Sequence, residues 1–221
     1  MNILFEDADM MVIDKPGGLS TESGNASHPS AEKLAVEWFQ QKNGTPRIPY
    51  LRAVHRLDRV SGGVLVLAKS KQALSMLMRQ FEQRLVKKTY QAVVEHAPSS
   101  DSGVLTHWLK RDESGKKALV FDQNMADTQP CALDFKVLER RESQALLEIY
   151  PETGRFHQIR AQLAHVGAPI FGDQLYGGQF WRDHEIKLQA VRLQLMHPRT
   201  NAPMTIDAPW DAWDLNTPNN L

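Results

Sequence analysis

Short apolar runs separated by polar turns open the chain. Ile3-Leu4-Phe5, a polar stretch from Glu6 to Asp9, and Met10-Met11-Val12-Ile13 predict a β-hairpin over Ile3–Lys15. Lys15-Pro16-Gly17-Gly18-Leu19 reads as a turn. The rhythm then lengthens: Leu34, Ala35 and Phe39 share one face, with Trp38 beside it, predicting a helix from Ser30 to Asn43 and a loop from Gly44 to Tyr50. Val64–Ala68 is an unbroken apolar run, the pattern of a buried strand. Ser70 is a candidate N-cap for a helix to about Arg84, with Ala73, Leu74, Leu77, Met78 and Phe81 as its apolar stripe and Lys71, Arg79 and Arg84 off it.

Five strand patterns follow, at Thr89–Glu95, Val104–Lys110, Ala118–Phe121, Ala132–Glu139 and Ala145–Tyr150. A helix is expected after Gly154, with Ile159, Leu163 and Val166 at helical spacing and Gly167 as its stop. Such a helix, burying Ile159 and Leu163, leaves Gln158 and Arg160 unable both to face the core. Leu188–Met196 and Pro203–Ile206 close the pattern as strands. Strands in succession without intervening helices predict an α+β fold with a mostly antiparallel sheet. No low-complexity tract, repeat or linker interrupts the chain, so residues 1–221 read as one domain.

Composition adds bounds. The 221 residues are 42% hydrophobic and 24% charged, as in ordinary globular proteins. Cys131 is the single cysteine, which excludes an internal disulfide. Glu6, Asp7 and Asp9 near the start do not fit a secretory leader, and no run is long enough to span a bilayer. A cytoplasmic protein without a membrane partner is expected. Lys plus Arg equal Asp plus Glu, 26 against 26, which argues against a generally basic nucleic-acid binder. The charge is polarised, however. Arg52–Lys88 holds nine basic residues against Asp58 and Glu82, a net +7, whereas Thr205–Leu221 holds Asp207, Asp211 and Asp214 and no Lys or Arg. A local field of this kind can steer an anion, although a solvated helix face fits the same charges.

The densest chemistry is Val54-His55-Arg56-Leu57-Asp58-Arg59-Val60-Ser61-Gly62-Gly63. Flanking cations favour an ionised Asp58, as a nucleophile or charge stabiliser requires, and the glycines permit a tight turn. An Arg–Asp pair that merely orders a loop fits these residues as well. A second constellation is Thr153-Gly154-Arg155-Phe156-His157-Gln158-Ile159-Arg160, where polar donors at a helix start suit an anion, or simply cap a helix. Lys87-Lys88-Thr89-Tyr90 sets a tyrosine beside cations, suiting a stacked base or a core strand equally. His157 and His165 lie eight residues apart and share no helix face with a third ligand, so no metal site is expected.

Taken together, these strings resemble the RluA-type pseudouridine synthases. The resemblance rests on His55-Arg56-Leu57-Asp58, Lys15-Pro16-Gly17-Gly18-Leu19, Lys88-Thr89-Tyr90, Thr153 to Arg160, Gly167-Ala168-Pro169-Ile170 with Gly172-Asp173 and Tyr176-Gly177, and the late His197-Pro198 and Ala208-Pro209 pairs. They occur in the family's order from Ile3 to Pro209. The resemblance implies one bipartite catalytic domain with a mixed, largely antiparallel sheet and flanking helices. It implies isomerisation of uridine to pseudouridine in tRNA or rRNA, without cofactor or metal. Asp58 would be the essential aspartate, Tyr90 the tyrosine near the uracil and Arg160 the arginine paired with the aspartate. His55, Arg56, Arg155, His157 and Gln158 would contact the substrate. Many members carry an N-terminal S4 domain; with a first strand at Ile3, none is expected here. The partner would be an RNA stem-loop, not DNA, and the protein a monomer.

Two positions depart from the family pattern. Ser61-Gly62-Gly63 stands where Thr-Ser-Gly is frequent, and Leu188-Gln189-Ala190 where Leu-His-Ala is frequent. Two other classes fit the residues less well: a catalytically silent RNA-binding chaperone, disfavoured because Asp58, Tyr90 and Arg160 are all present, and an N-glycosidic hydrolase, which often needs a second carboxylate or a metal.

Overall fold

A computed structural model describes residues 1–22 and 28–214. The elements run β1 (Asn2–Glu6), β2 (Met10–Lys15), α1 (Ala31–Asn43), β3 (Arg52–Ala53), β4 (Gly62–Ala68), α2 (Lys71–Glu82), β5 (Lys87–Val94), β6 (Ser102–Arg111), β7 (Ala118–Phe121), β8 (Gln129–Arg141), β9 (Gln144–Pro151), α3 (Gln158–His165), a single 3-10 turn at Gln174–Tyr176, β10 (Leu188–Met196) and β11 (Pro203–Asp207). The fold is α+β, as the run of strands implied. The chain forms two compact units.

The first unit comprises Met1–Lys88, Asp183–Glu185 and Ala190–Ala208. Its strands run β1-β2-β4-β10, with β11 beside β10 and β3 beside β4. The hairpin turn is set by Asp7, whose carboxylate accepts the backbone N–H groups of Asp9 and Met10, both at 2.9 Å. β4 is buried over its whole length, which explains its unbroken apolar sequence. The core joins Met10 and Val12 of β2, Val64 and Val66 of β4, Ala73 and Leu77 of α2, Leu193 and Leu195 of β10 and Ile206 of β11. Ser30 and Ser70 cap α1 and α2 by accepting from Lys33 N and Ala73 N. The amide of Gln80 fastens α2 to the Met196 backbone, donating to its oxygen and accepting from its nitrogen, each at 2.8 Å. β3 escaped the sequence reading because a two-residue strand carries no periodicity.

The second unit comprises Thr89–Arg182, Ile186–Gln189 and the residues from Pro209 onward. Its strand order is β5-β9-β8-β6-β7, every pair antiparallel. α3 lies against β6 and β7, with Ala161 packed among Leu109, Ala118 and Cys131. Two expectations for this helix need correction. It begins at Gln158, four residues beyond Gly154, because His157 takes a left-handed conformation at φ 53° and holds residues 154–157 in a turn. Gln158, Ile159, Arg160, Ala161, Gln162 and Leu163 are also all buried, so the polar and apolar positions do face the interior together. The physical reason is that the buried polar groups have partners, which removes the penalty that makes such burial rare. Gly167 ends the helix as expected, at φ 79°. Among the described residues no helix is long and apolar enough to cross a membrane.

Gly63 shows how closely the first unit is packed. Its φ is 115°, and a Cβ built there would lie 2.3 Å from the backbone oxygen of Ala190. Gly63→Ala should therefore cost about 3 kcal/mol or more, since neither strand can retreat without breaking ladder bonds. Urea unfolding of the purified variant measures this, and a loss below about 1 kcal/mol would show that the two backbones are free to separate.

Candidate active site

The sequence around Asp58 folds into a loop held by several of its neighbours. His55 accepts the Val66 N–H of β4 through Nε2 at 3.2 Å and stacks on Phe81, ring centroids 4.8 Å apart. Burial lowers its pKa to about 3, with the Lys88 ammonium adding to the shift, so the ring is neutral. Leu57 is clamped by one hydroxyl: Thr21 Oγ1 donates to Leu57 O at 3.0 Å and accepts from Leu57 N at 3.1 Å. Asp58 closes a turn in which its carbonyl accepts from Ser61 N at 3.2 Å. Arg59 donates to Gly18 O at 3.0 Å. Arg56 is largely exposed, 3.5 Å from Glu22.

Beneath the loop lies Lys15, fully buried at the end of β2. Its ammonium donates to Pro16 O at 2.9 Å, Leu19 O at 2.7 Å and Ser61 O at 2.6 Å. An ammonium has three protons, and all three are used. One charge thus ties the Pro-Gly-Gly turn to the far side of the Asp58 loop. Burial lowers its pKa to about 8, against the opposing attraction of Asp58, Asp14 and Glu185.

In the second unit, Tyr90 sits on β5 opposite Ile149 of β9 and is half-buried. Arg160, on the first turn of α3, is buried and gripped by Asp173. Its Nε donates to Oδ2 at 2.7 Å and its Nη2 to Oδ1 at 2.8 Å, a bidentate pair that fixes the guanidinium plane. Tyr176 lies under the same guanidinium, 5.1 Å from ring centroid to Cζ. The Tyr176 hydroxyl accepts from Ala118 N at 2.7 Å and meets His157 Nδ1 at 3.0 Å. His157 stacks on Phe156 at 3.8 Å, and Arg111 covers that ring at 4.0 Å. Gln158 holds the turn before α3: its carbonyl accepts from Thr153 Oγ1 and Arg155 N, and its amide donates to Ala132 O. Beside this turn is a cleft of about 350 Å³ lined by Lys110, Arg111, Arg155 and Phe156 among others.

This arrangement offers an acid on a rigid loop in one unit, and a fixed arginine with an aromatic, cationic surround in the other. The RNA pseudouridylate synthase profile matches residues 9–165, which include the Asp58 loop, Tyr90 and Arg160. The chain belongs to that family. The family consists of isomerases that convert uridine to pseudouridine in RNA. The chain is 33% identical over 96% of its length to the uncharacterized RNA pseudouridine synthase YhcT of Bacillus subtilis, covering 69% of that protein. It is 31% identical to ribosomal large subunit pseudouridine synthase C of Buchnera aphidicola, over 95% of this chain and 67% of that protein. It is 33% identical to ribosomal large subunit pseudouridine synthase D of Xanthomonas campestris, over 95% and 66%. The chain thus spans about two thirds of the length of these relatives. In fold it is similar to human RNA pseudouridylate synthase domain containing 4, at TM-score 0.76, 24% identity and coverage of 95% of this chain and 88% of that one.

Within this pseudouridylate synthase, sequence reasoning missed three positioning residues. Lys15 and Asp173 lay inside strings that carried the family resemblance, so a signal existed, but their tasks are visible only in three dimensions. Thr21 carries no sequence signal at all. His55 and Gln158, expected at the substrate, have hydrogen-bonding tasks within the protein.

Lys15 leaves a mark on stability. Its folded pKa near 8 lies below the ordinary lysine value, so between about pH 8 and 10.5 the unfolded chain binds the extra proton. Stability should therefore rise through that window on account of this group. From pH 7.5 to 9.5 the gain is roughly 2 kcal/mol. Lys15→Met should lose that increment while keeping the pH dependence of all other groups, as read by urea unfolding at the two pH values. Parallel profiles for wild type and variant would mean that the ammonium is not desolvated.

Proposed function

We propose that this chain isomerises a specific uridine in a structured RNA stem-loop to pseudouridine, with Asp58 as the catalytic carboxylate. The observation that carries this reading is the Asp58 loop, whose backbone is pinned through His55, Leu57, Arg59 and Ser61, which supports a preorganised position for the aspartate. The large-subunit names of two relatives favour ribosomal RNA over transfer RNA as the target. The enzyme acts as a cytoplasmic monomer and requires no cofactor.

The reaction requires the base to leave the ribose, turn and rejoin through carbon. A stacked uridine hides these atoms, so the nucleotide is flipped out, at a cost of a few kcal/mol offset by contacts in the pocket. Two routes suit Asp58. It attacks the sugar or the ring, or it removes a sugar proton so that the base departs through a glycal. Both need the carboxylate ionised, and an opposite charge within about 4–6 Å favours that state. Arg160 supplies the charge in this reading, and Asp173 keeps its guanidinium oriented. Tyr90 stacks on the uracil and assists removal of the carbon-5 proton. Arg56, exposed on the loop, and Arg155 and His157, beside the cationic cleft, contact the RNA. His55 and Gln158 act through the backbone they hold.

Asp58→Asn should abolish isomerisation while unfolding stability and RNA affinity stay within a few-fold of wild type. Mass-spectrometric mapping of pseudouridine in RNA incubated with the purified variant measures the first, and any sustained turnover would remove Asp58 from its role. A second experiment concerns the basic segment. Arg79, Arg84 and Lys87 are exposed in the first unit, and none belongs to the catalytic set. Each phosphate contact contributes a slope of about −0.7 to −0.9 in log affinity against log salt. Changing all three to Gln should flatten that slope by about two to three units and leave single-turnover rates at saturating enzyme unchanged. An unaltered slope would make these charges a solvated face only.

A further inference from the structure

Away from the Asp58 loop, the second unit gathers His107, Asp122 and His165 from three elements. His107 lies on β6, Asp122 follows β7 and His165 is the last residue of α3. The register Trp108↔Phe121 brings Asp122 beside His107, one step further along the ladder. His165 Nε2 is 2.9 Å from Asp122 Oδ1, and His107 Nε2 is 3.8 Å from the same oxygen. The two imidazoles meet edge to face with centroids 5.0 Å apart, and the three donor atoms all lie within 4.8 Å of one another. Ligands about 2.0–2.1 Å from a tetrahedral ion stand roughly 3.3 Å apart, so the two measured separations straddle the value required.

The surroundings bear on a ligand role. At His107 the outer nitrogen, Nδ1, lies 3.0 Å from the amide nitrogen of Gln162, which is fully buried. Gln162 and His165 are three residues apart on α3 and so share one helix face. Gln162 Oε1 has no hydrogen-bond partner, which is unusual for a buried oxygen. The nitrogen of the same amide donates to Leu105 O at 3.0 Å, so binding of an ion at His107 Nε2 requires the ring proton to move to Nδ1 and the amide to swing away from that nitrogen. His107 is nearly buried while Asp122 is largely exposed, so a fourth position opens to water. A second such cluster, Asp7, Asp9 and His197, does not qualify, because Arg199 donates to Asp9 Oδ1 at 3.1 and 2.6 Å and its cation competes with an ion there.

We propose that His107, Asp122 and His165 form a binding site for a first-row divalent cation of the zinc type, with water as fourth ligand. Two imidazoles and one carboxylate suit such ions and not magnesium or calcium, which take oxygen ligands. The ion displaces the proton between His165 and Asp122 and ties β6, the end of β7 and the C-terminus of α3 together. It plays no part in isomerisation, and the proposal does not depend on the catalytic reading above.

Zinc titration of the chelator-stripped full chain against a chromophoric competitor tests the site. One equivalent should bind at micromolar free metal. Asp122→Asn and His165→Gln should each weaken binding by about 100-fold. Both ligand positions are at or near the surface, so circular dichroism should confirm that these two variants remain folded. His197→Gln should leave the affinity unchanged. Cobalt(II) should give the intense visible absorption of a four-coordinate site in wild type and lose it in His165→Gln. Failure to bind zinc at 100 µM, or binding that survives both Asp122→Asn and His165→Gln, would overturn the proposal.

Discussion

A single buried ammonium organises the first unit. Lys15 ends β2 where the chain leaves the core, and its three protons go to the carbonyls of Pro16, Leu19 and Ser61. Its burial is unfavourable in itself, since desolvation opposes charge. The compensation comes from backbone oxygens that would otherwise be left without donors in a turn rich in Pro and Gly. Removing the lysine would orphan three carbonyls at once and detach the Asp58 loop from the strand below. The proline and glycines of this segment follow from that arrangement: the chain must curl back so that oxygens separated in sequence converge on one nitrogen.

The second unit solves a similar problem with a helix. α3 is buried on nearly all sides yet contains Gln158, Arg160 and Gln162. Each is committed to a protein partner: Ala132 O and Thr153 for Gln158, Asp173 for Arg160, Leu105 O and His107 for Gln162. Specific partners of this kind restrict how the helix can rotate or slide, which an apolar helix of the same length would resist less. Arg160 is the extreme case, because its bidentate bonds fix both position and plane.

How much was legible follows from range. Ser70 was recognisable as a cap, and Ala118–Phe121 and Leu188–Met196 as strands, because caps and alternation act over a few residues. The α+β class followed from the order of elements alone. The start of α3 did not, because it depends on His157 adopting a conformation that sequence disfavours. Burial of Gln158 and Arg160 together was misjudged for the same kind of reason. Their partners Ala132 and Asp173 stand 26 and 13 residues away, beyond any local pattern. The Asp58 loop stood out in the sequence as a candidate centre through its arginines, glycines and family resemblance. The residues that hold it, Lys15 and Thr21, were not, because a lysine or threonine acquires such a task only from what the fold places around it.

The same logic accounts for an overall neutral chain with a strongly basic segment. A chain that acts on a polyanion gains from a local basic field, and cations elsewhere in the fold can serve to hold structure instead. Here the exposed cations of α2 and its C-terminal turn lie on the surface, where salt screens them, while the cation under the Asp58 loop is buried and spends its protons on carbonyls. Surface charge can then serve attraction and buried charge can serve position. The acidic residues that balance the sum are partly consumed in pairs of their own, such as Asp9 with Arg199 and Asp207 with Arg192, so they do not cancel the field of the basic segment. Net charge therefore says little about this chain's capacity for RNA; the distribution of its charges between surface and interior says more.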